Sequence, residues 1–218
     1  MKSDSQLAGD VTEELFYDPR IRDDDGIAVS AHAGDVTLRG TVGSFHQKRA
    51  AADASRRVRG VTGVANKLQV RLMTEARRED SDIRAAALQA LMLDGLVPAD
   101  RIDVKVSNGM LTLTGAVSWQ FQRDAAEGDV LPLIGVVDID DQLVVDNEAN
   151  AADVANRINE AFVRNAQLND SSIQVSSDEE AVTLSGVVGT WSEHAEALDA
   201  AWSAPGVTRV RDELEIVY

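Results

Sequence analysis

"VTLRGTVGSF" at residues 36–45 reads as a strand running into a turn, and it returns as "LTLTGAVSWQ" at 111–120 and "VTLSGVVGTW" at 182–191. Laid over one another without a gap, the copies extend through 36–70, 111–145 and 182–216, at offsets of 75 and 71 residues. Eight columns are identical: Thr37/Thr112/Thr183, Leu38/Leu113/Leu184, Gly40/Gly115/Gly186, Val42/Val117/Val188, Ala51/Ala126/Ala197, Gly60/Gly135/Gly206, Val61/Val136/Val207 and Leu68/Leu143/Leu214. A period of this size marks a repeated supersecondary unit, so the chain divides into three, at 1–72, 73–147 and 148–218.

Each unit contains its own alternation of periods. "SDIRAAALQALML" carries Ile83, Ala87 and Leu91 at helical spacing behind Ser81 or Asp82 as a cap. "ADVANRINEAFV" does the same with Val154, Ile158, Ala161 and Phe162, and "DVTEELF" more weakly with Val11, Leu15 and Phe16. Next come the alternating segments "IAVSA", "IDVKVS" and "IQVSS", starting at Ile27, Ile102 and Ile173. They pair with the quoted strands through tight turns at Ala33-Gly34, Asn108-Gly109 and Ser177-Asp178. A helix over 44–59, 119–131 and 190–204 follows, small-faced at Ala51, Ala54 and Ser55, at Ala126 and Val130, and at Ala197, Ala200 and Ala201. Pro132 and Pro205 fall near its end, Gly60, Gly135 and Gly206 are its expected C-terminal stop signals, and an alternating segment returns to the sheet.

The predicted class is therefore α+β. Three tandem α-β-β-α-β domains each carry a mixed three-stranded sheet, because a right-handed crossover makes the last strand parallel to its predecessor, with two helices on one face. Gly40, Gly115 and Gly186 lie inside a strand, where glycine weakens the structure unless something comes close; the following helix is the expected neighbour.

The order of elements, the V-T-L-x-G-x-V strand and the G-V-x-x-V-x-x-x-L ending resemble the BON domain, over about 10–72, 80–147 and 150–218. That resemblance implies a non-enzymatic module attaching to phospholipid membranes or to partner proteins, typical of envelope and stress-response or transport-associated proteins of bacteria.

Composition narrows the functions further. The net charge is −16, with 11 Lys and Arg against 10 Asp and Glu in residues 1–72, 6 against 14 in 73–147, and 4 against 13 in 148–218. Two strongly acidic units disfavour nucleic acid as a partner. No apolar run is long enough to span a bilayer, and the first residues lack the apolar core of an export signal. The expected location is the cytoplasm, or the periplasm if an export signal has been removed. Cysteine is absent, so thiol chemistry and disulfides are excluded.

No cofactor, metal or catalytic residue is predicted. His32, His46 and His194 fall in non-equivalent columns, and the acidic stretches at Asp23, Asp24, Asp25 and at Asp138, Asp140, Asp141 lack the ligand spacing and turn of a calcium loop. The candidate binding residues are a basic stripe on the second helix of unit one, Lys48, Arg49, Arg56, Arg57 and Arg59, together with Trp119 and Trp191. Such a stripe fits anionic phospholipid, or an acidic face of this chain, of a second copy or of another protein. The tryptophans fit either packing or insertion at an interface. Binding of a protein partner or self-association is the first reading, and peripheral phospholipid binding through the basic helix the alternative.

Overall fold

In the computed structural model the described residues are 2–21, 26–146, 154–165, 168, 172–177, 181–204 and 206–217. Three repeated α-β-β-α-β units follow one another. The first runs α1 (Asp4–Tyr17), β1 (Ile27–His32), β2 (Asp35–Val42), α2 (Phe45–Arg57) and β3 (Gly63–Val70). The second runs α3 (Asp80–Leu93), β4 (Ile102–Ser107), β5 (Met110–Val117), α4 (Gln120–Val130) and β6 (Asp138–Val145). The third runs α5 (Val154–Arg164), β7 (Ser172–Ser177), β8 (Val182–Val188), α6 (Trp191–Trp202) and β9 (Val210–Ile216). By internal contacts the chain divides into two compact units, Met1–Thr114 with Ala125–Gln142 and Gly115–Asp124 with Leu143–Tyr218.

Each sheet has the motif strand at its centre: β1-β2-β3, β4-β5-β6 and β7-β8-β9. β1 runs antiparallel to β2 and β3 parallel to it, and β7, β8 and β9 repeat that pattern. Period-two alternation sends Val36, Leu38 and Val42 of β2 to one side, where they meet Leu7, Val11 and Leu15 of α1 and Ala50, Ala51 and Ala54 of α2 in one core. The third core joins Val154, Ile158 and Phe162 of α5, Val182 and Leu184 of β8, and Ala197 and Ala201 of α6 in the same way. Both helices of these repeats thus pack on one face of the sheet. The threonines at 37, 112 and 183 lie between core positions and are half-buried on the other face.

The helix starts extend the sequence reading. α1 is twice the length of "DVTEELF", because Ser3 and Gln6 close a capping box ahead of the apolar spacing. α3 begins one residue before Ser81, with Glu79 at the cap position. Its first residue, Asp80, accepts hydrogen bonds from the backbone amides of Asn108 (2.8 Å) and Gly109 (2.9 Å) in the β4–β5 turn. Asp4 does the same for the amide of Ala33 (2.9 Å) in the β1–β2 turn. A carboxylate at the helix start thus pins the hairpin in both repeats. The turn at Ser177-Asp178, like Pro205 and Asp23 to Asp25, lies wholly or partly outside the described residues.

The glycines expected to stop the second helices stand beyond the helix ends. α2, α4 and α6 finish at Arg57, Val130 and Trp202, whereas Gly60, Gly135 and Gly206 lie further on, in the turn that leads to the last strand of each repeat. They are therefore not helix caps: α2 has Val58 at its C-cap with an extended backbone, and α6 has Ser203 there. What the column requires is the turn itself, since φ is 102° at Gly60, 101° at Gly135 and 95° at Gly206, a left-handed region that glycine enters without a steric cost. Gly135 is in addition buried against α3, and a β-carbon there would crowd the side chain of Ile83.

The mid-strand glycines require a different explanation from the expected helix. Gly40, Gly115 and Gly186 have φ of 124°, 135° and 122°, a backbone region costly for any residue with a β-carbon. A β-carbon at 40 would collide with the carbonyl oxygen of Gly26, and one at 186 with that of Ser172. The close neighbour is the chain entering the first strand: Ile27 pairs with Gly40 and Ile173 with Gly186.

Gly40→Ala is therefore expected to destabilise by about 2 kcal/mol or more, from left-handed strain plus a backbone collision. Gly9→Ala, inside α1 where an added β-carbon meets nothing within 4 Å, is expected to stabilise by about 0.5–1 kcal/mol. Urea unfolding of the two variants beside the parent chain measures both.

Candidate functional site

Four cations of the basic stripe, Lys48, Arg49, Arg56 and Arg57, lie on α2, whereas Arg59, expected on the same helix, lies two residues past its end because α2 stops at Arg57. The N-cap hydroxyl of Ser44 accepts from the amide of Gln47, whose side-chain oxygen accepts in turn from Gly43 N at 2.7 Å. The same column repeats as Gln122, accepting from Ser118 N, and Glu193, accepting from Gly189 N. The sequence carries this as Ser/Thr-x-x-Gln/Glu in the first and third repeats, a signal that locates both helix starts. In the second repeat Trp119 takes the N-cap column; its amide donates to Gln122.

Lys48 and Arg49 point to acids of the second repeat within the same compact unit. Lys48 Nζ lies 3.3 Å from Asp138 Oδ2, and Arg49 Nη1 lies 2.9 Å from Glu127 Oε1 on α4. Lys48 Nζ also stands 5.6 Å from the centre of the Phe45 ring. Phe45 and Ala52, at the start and the middle of α2, are buried although neither belongs to the sheet-side core.

The other half of the stripe turns inward to its own repeat. Arg56 pairs with Asp53 at 3.1 Å. Arg57 Nη2 reaches Glu14 Oε1 and Asp18 Oδ2, both at 2.8 Å. Asp18 is buried just after α1 and also accepts from Arg20 Nη2 at 2.7 Å. The hydrogen bond from Arg20, then that from Arg57, hold its carboxyl well below the usual carboxylate range against the opposing effect of burial. Arg59 is exposed, and its carbonyl accepts from Lys2 Nζ. The five cations therefore do not form one free anionic-ligand face.

Trp119 and Trp191 are half-buried at the starts of α4 and α6, and Trp191 packs edge-on against His194 with ring centres 5.3 Å apart. His194 Nε2 lies 2.9 Å from Asp212 Oδ2. This is a structural tie. His194 and Asp212 occupy the columns of Lys48 and Asn66, and Asn66 Nδ2 donates to the Lys48 carbonyl at 2.7 Å, again joining second helix to third strand. Asn66 Oδ1 accepts from Leu68 N and Asp212 Oδ1 from Leu214 N, so the edge-strand bond repeats too. His32 is exposed beside Asp4.

Asp138 serves Lys48, and Asp140 accepts from Gln142. Among the described residues no cluster of three His, Cys, Asp or Glu has metal-holding geometry, and no helix is long and apolar enough to cross a membrane. Among the described residues two carboxyls are pushed up: Asp129 by burial and then by Asp94, Asp199 by burial and then by Asp124 and Glu196. Asp129 Oδ2 is buried without a hydrogen-bond partner.

Asp18 and Asp129 are expected to respond to pH in opposite directions. Asp18 has a folded value below its unfolded one, so its stabilisation is complete above about pH 4 and is lost as pH falls toward the folded value. Asp129 has a raised folded value, so its penalty at neutral pH is relieved as pH falls through that value. Asp18→Asn is expected to cost about 2 kcal/mol at pH 7, given arginines that are half-exposed, whereas Asp129→Asn is expected to stabilise. Melting temperatures of both variants beside the parent chain at pH 7, pH 4 and pH 2 check the signs, the Asp18 difference shrinking only below pH 4.

Comparison with known proteins adds the following. The model of the BON domain family matches residues 3–71, 79–147 and 150–218. The osmotically-inducible protein Y of Escherichia coli (strain K12) is 31% identical over 144 residues, which cover 64% of this chain and 71% of that protein. Two structures of CdsD, a structural protein of the type III secretion system of Chlamydia trachomatis, align over most of the chain. The first is 14% identical, covers 97% of this chain and 92% of its own, and has a TM-score of 0.27. The second, a C-terminal domain, is 12% identical, covers 100% of both chains and has the same TM-score. Scores of that size carry no argument about fold or function.

Proposed function

This chain belongs to the BON domain family, and we propose that it works as a non-enzymatic accessory protein that binds other proteins through the surfaces of its three repeats. Its similarity to an osmotically inducible protein supports a role in the stress response. The observation that carries the protein-binding reading is the state of the basic stripe: Lys48 and Arg49 face carboxylates of the second repeat, and Arg57 faces Glu14 and Asp18. Attraction to an anionic bilayer amounts to about 1 kcal/mol per nearby cation, so cations already neutralised add little against a net charge of −16. The non-enzymatic reading is supported by His194, whose carboxylate partner duplicates a structural tie in the first repeat.

Two measurements test this. Flotation with neutral and anionic vesicles at low salt is expected to leave the protein unbound; anionic-vesicle binding abolished by Arg56→Glu and Arg59→Glu together, with Arg57 kept because it holds the buried Asp18, would install the phospholipid reading instead. Pull-down from the native cell is expected to recover protein partners that survive washing at moderate salt. A charge-swap cycle at Arg49 and Glu127 is expected to give a coupling of about 0.5–1 kcal/mol, as for a half-exposed pair, and no coupling would remove the observation on which the reading rests.

A further inference from the structure

Turned away from the core residues Ile83, Ala87 and Leu91, the outer side of α3 exposes Ala85, Ala86, Gln89, Met92 and Leu93, and Leu96 continues the row just past the helix end. Met92 is 75% exposed, Leu93 77% and Leu96 58%, three neighbouring large apolar side chains left in water. No charge interrupts this row. The helix's one cation, Arg84, is drawn to β4, where Nε donates to the Val104 carbonyl at 2.7 Å, and Asp80 is occupied with the hairpin turn. Asp82 at one end of the row and Asp94 at the other leave it flanked by acids.

The same position is apolar and exposed in the other first helices. The residue after the last core position is Phe16 in α1, 64% exposed, and Val163 in α5, 75% exposed. Tyr17, next to Phe16, makes an edge-on ring pair with it that remains open to solvent. One position repeatedly apolar where its neighbours vary marks a surface with a use, and exposed apolar rows of this kind are interaction sites.

We propose that the outer face of α3 is a docking surface for a cationic amphipathic helix of another protein, a proposal that rests on the protein-binding reading above. An uncharged row at helical spacing accepts the apolar side of a partner helix along the 14 residues of α3, about 21 Å. Charge selects that occupant over others. The second repeat carries 6 Lys and Arg against 14 Asp and Glu, so cations at the rim of a partner helix are attracted. An anionic bilayer, or a second copy with its own −16, is repelled.

The test uses the full chain and a fluorescent synthetic amphipathic helical peptide of Leu and Lys, with a Leu and Glu peptide of the same pattern as comparison, read by anisotropy at low and high salt. The expected result is binding of the Leu and Lys peptide, weakened about tenfold or more by Met92→Ser, Leu93→Ser and Leu96→Ser together, and at least as much weaker binding of the Leu and Glu peptide. The three positions are exposed, and an unchanged melting temperature certifies that the variant is folded. Equal binding of the Leu and Lys peptide to parent and variant overturns the proposal, because attraction to the acidic chain at large then explains it. Anionic-vesicle binding or dimerisation that vanishes in the variant overturns it as well, by assigning the face to a bilayer or to a second copy. If native partners are still captured by the Ser variant, the protein-binding reading stands and this surface is the wrong one.

Discussion

The carbonyl oxygen of Gly26 lies where the β-carbon of any other residue at position 40 would stand, and the carbonyl of Ser172 holds the same place against Gly186. That close passage decides how the chain enters the first and third sheets. Ile27 can pair with Gly40 only because the preceding residue crosses the bare backbone, and this pairing fixes the register of the hairpin. Register in a strand with one buried face is unforgiving, since a slip by one residue would turn Val36, Leu38 and Val42 to water. The apolar side of β2, the seat of both helices and the place of the stripe on α2 follow from one residue without a side chain. Conversely, α1 reaches back to the hairpin through Asp4, and α3 does so through Asp80, so the turn is held from the outside as well.

The frame was legible because it is written three times. Identical glycine and apolar columns disclosed the repeat, period-two and period-3.6 spacing assigned the elements, and crossover handedness made the third strand parallel, as β3 and β9 are. What spacing could not reveal is which atoms fill the space beside a glycine. A mid-strand glycine signals either close approach or a positive φ, and here it is both, against the incoming strand and not the helix. The column of Gly60, Gly135 and Gly206 was ambiguous in a related way, because a left-handed residue serves a turn between helix and strand as well as it serves a helix cap. The start of α1 was missed because Ser3 and Gln6 cap a first turn holding only one apolar core residue, Leu7.

The candidate site was less legible for a physical reason. Helical periodicity states which side chains share a face, and it separates Lys48 and Arg49 from the core residues Ala51 and Ala54. It does not state what comes to meet that face. Asp138 and Glu127 are about 80 or 90 residues away in sequence, and Arg57 turns to α1 because the buried Asp18 offers a carboxylate that two guanidiniums can share. Long-range ion pairs leave no local spacing to read. The exposed row on α3 was hidden for the opposite reason: alanine, methionine and leucine on a helix look like core until burial separates Leu91 from Met92.

A single column shows how a fixed frame tolerates this variety. The residue that follows each first helix is Asp18, Asp94 or Asn165, and in each repeat it is coupled to the second helix by a different interaction. Asp18 takes the guanidinium of Arg57, Asn165 donates to Glu196 at 3.0 Å, and Asp94 adds carboxylate repulsion to the burial that already pushes Asp129 up. An ion pair, an amide hydrogen bond and a repulsion cannot all be what holds two helices on a sheet. The apolar columns do that in every copy, and only because they suffice can polar contacts at the same place change sign. Where the apolar columns set the frame, the charges can diverge toward different neighbours, as Lys48 and His194 have done in one column of the second helices. Three copies of one fold are in this sense three surfaces.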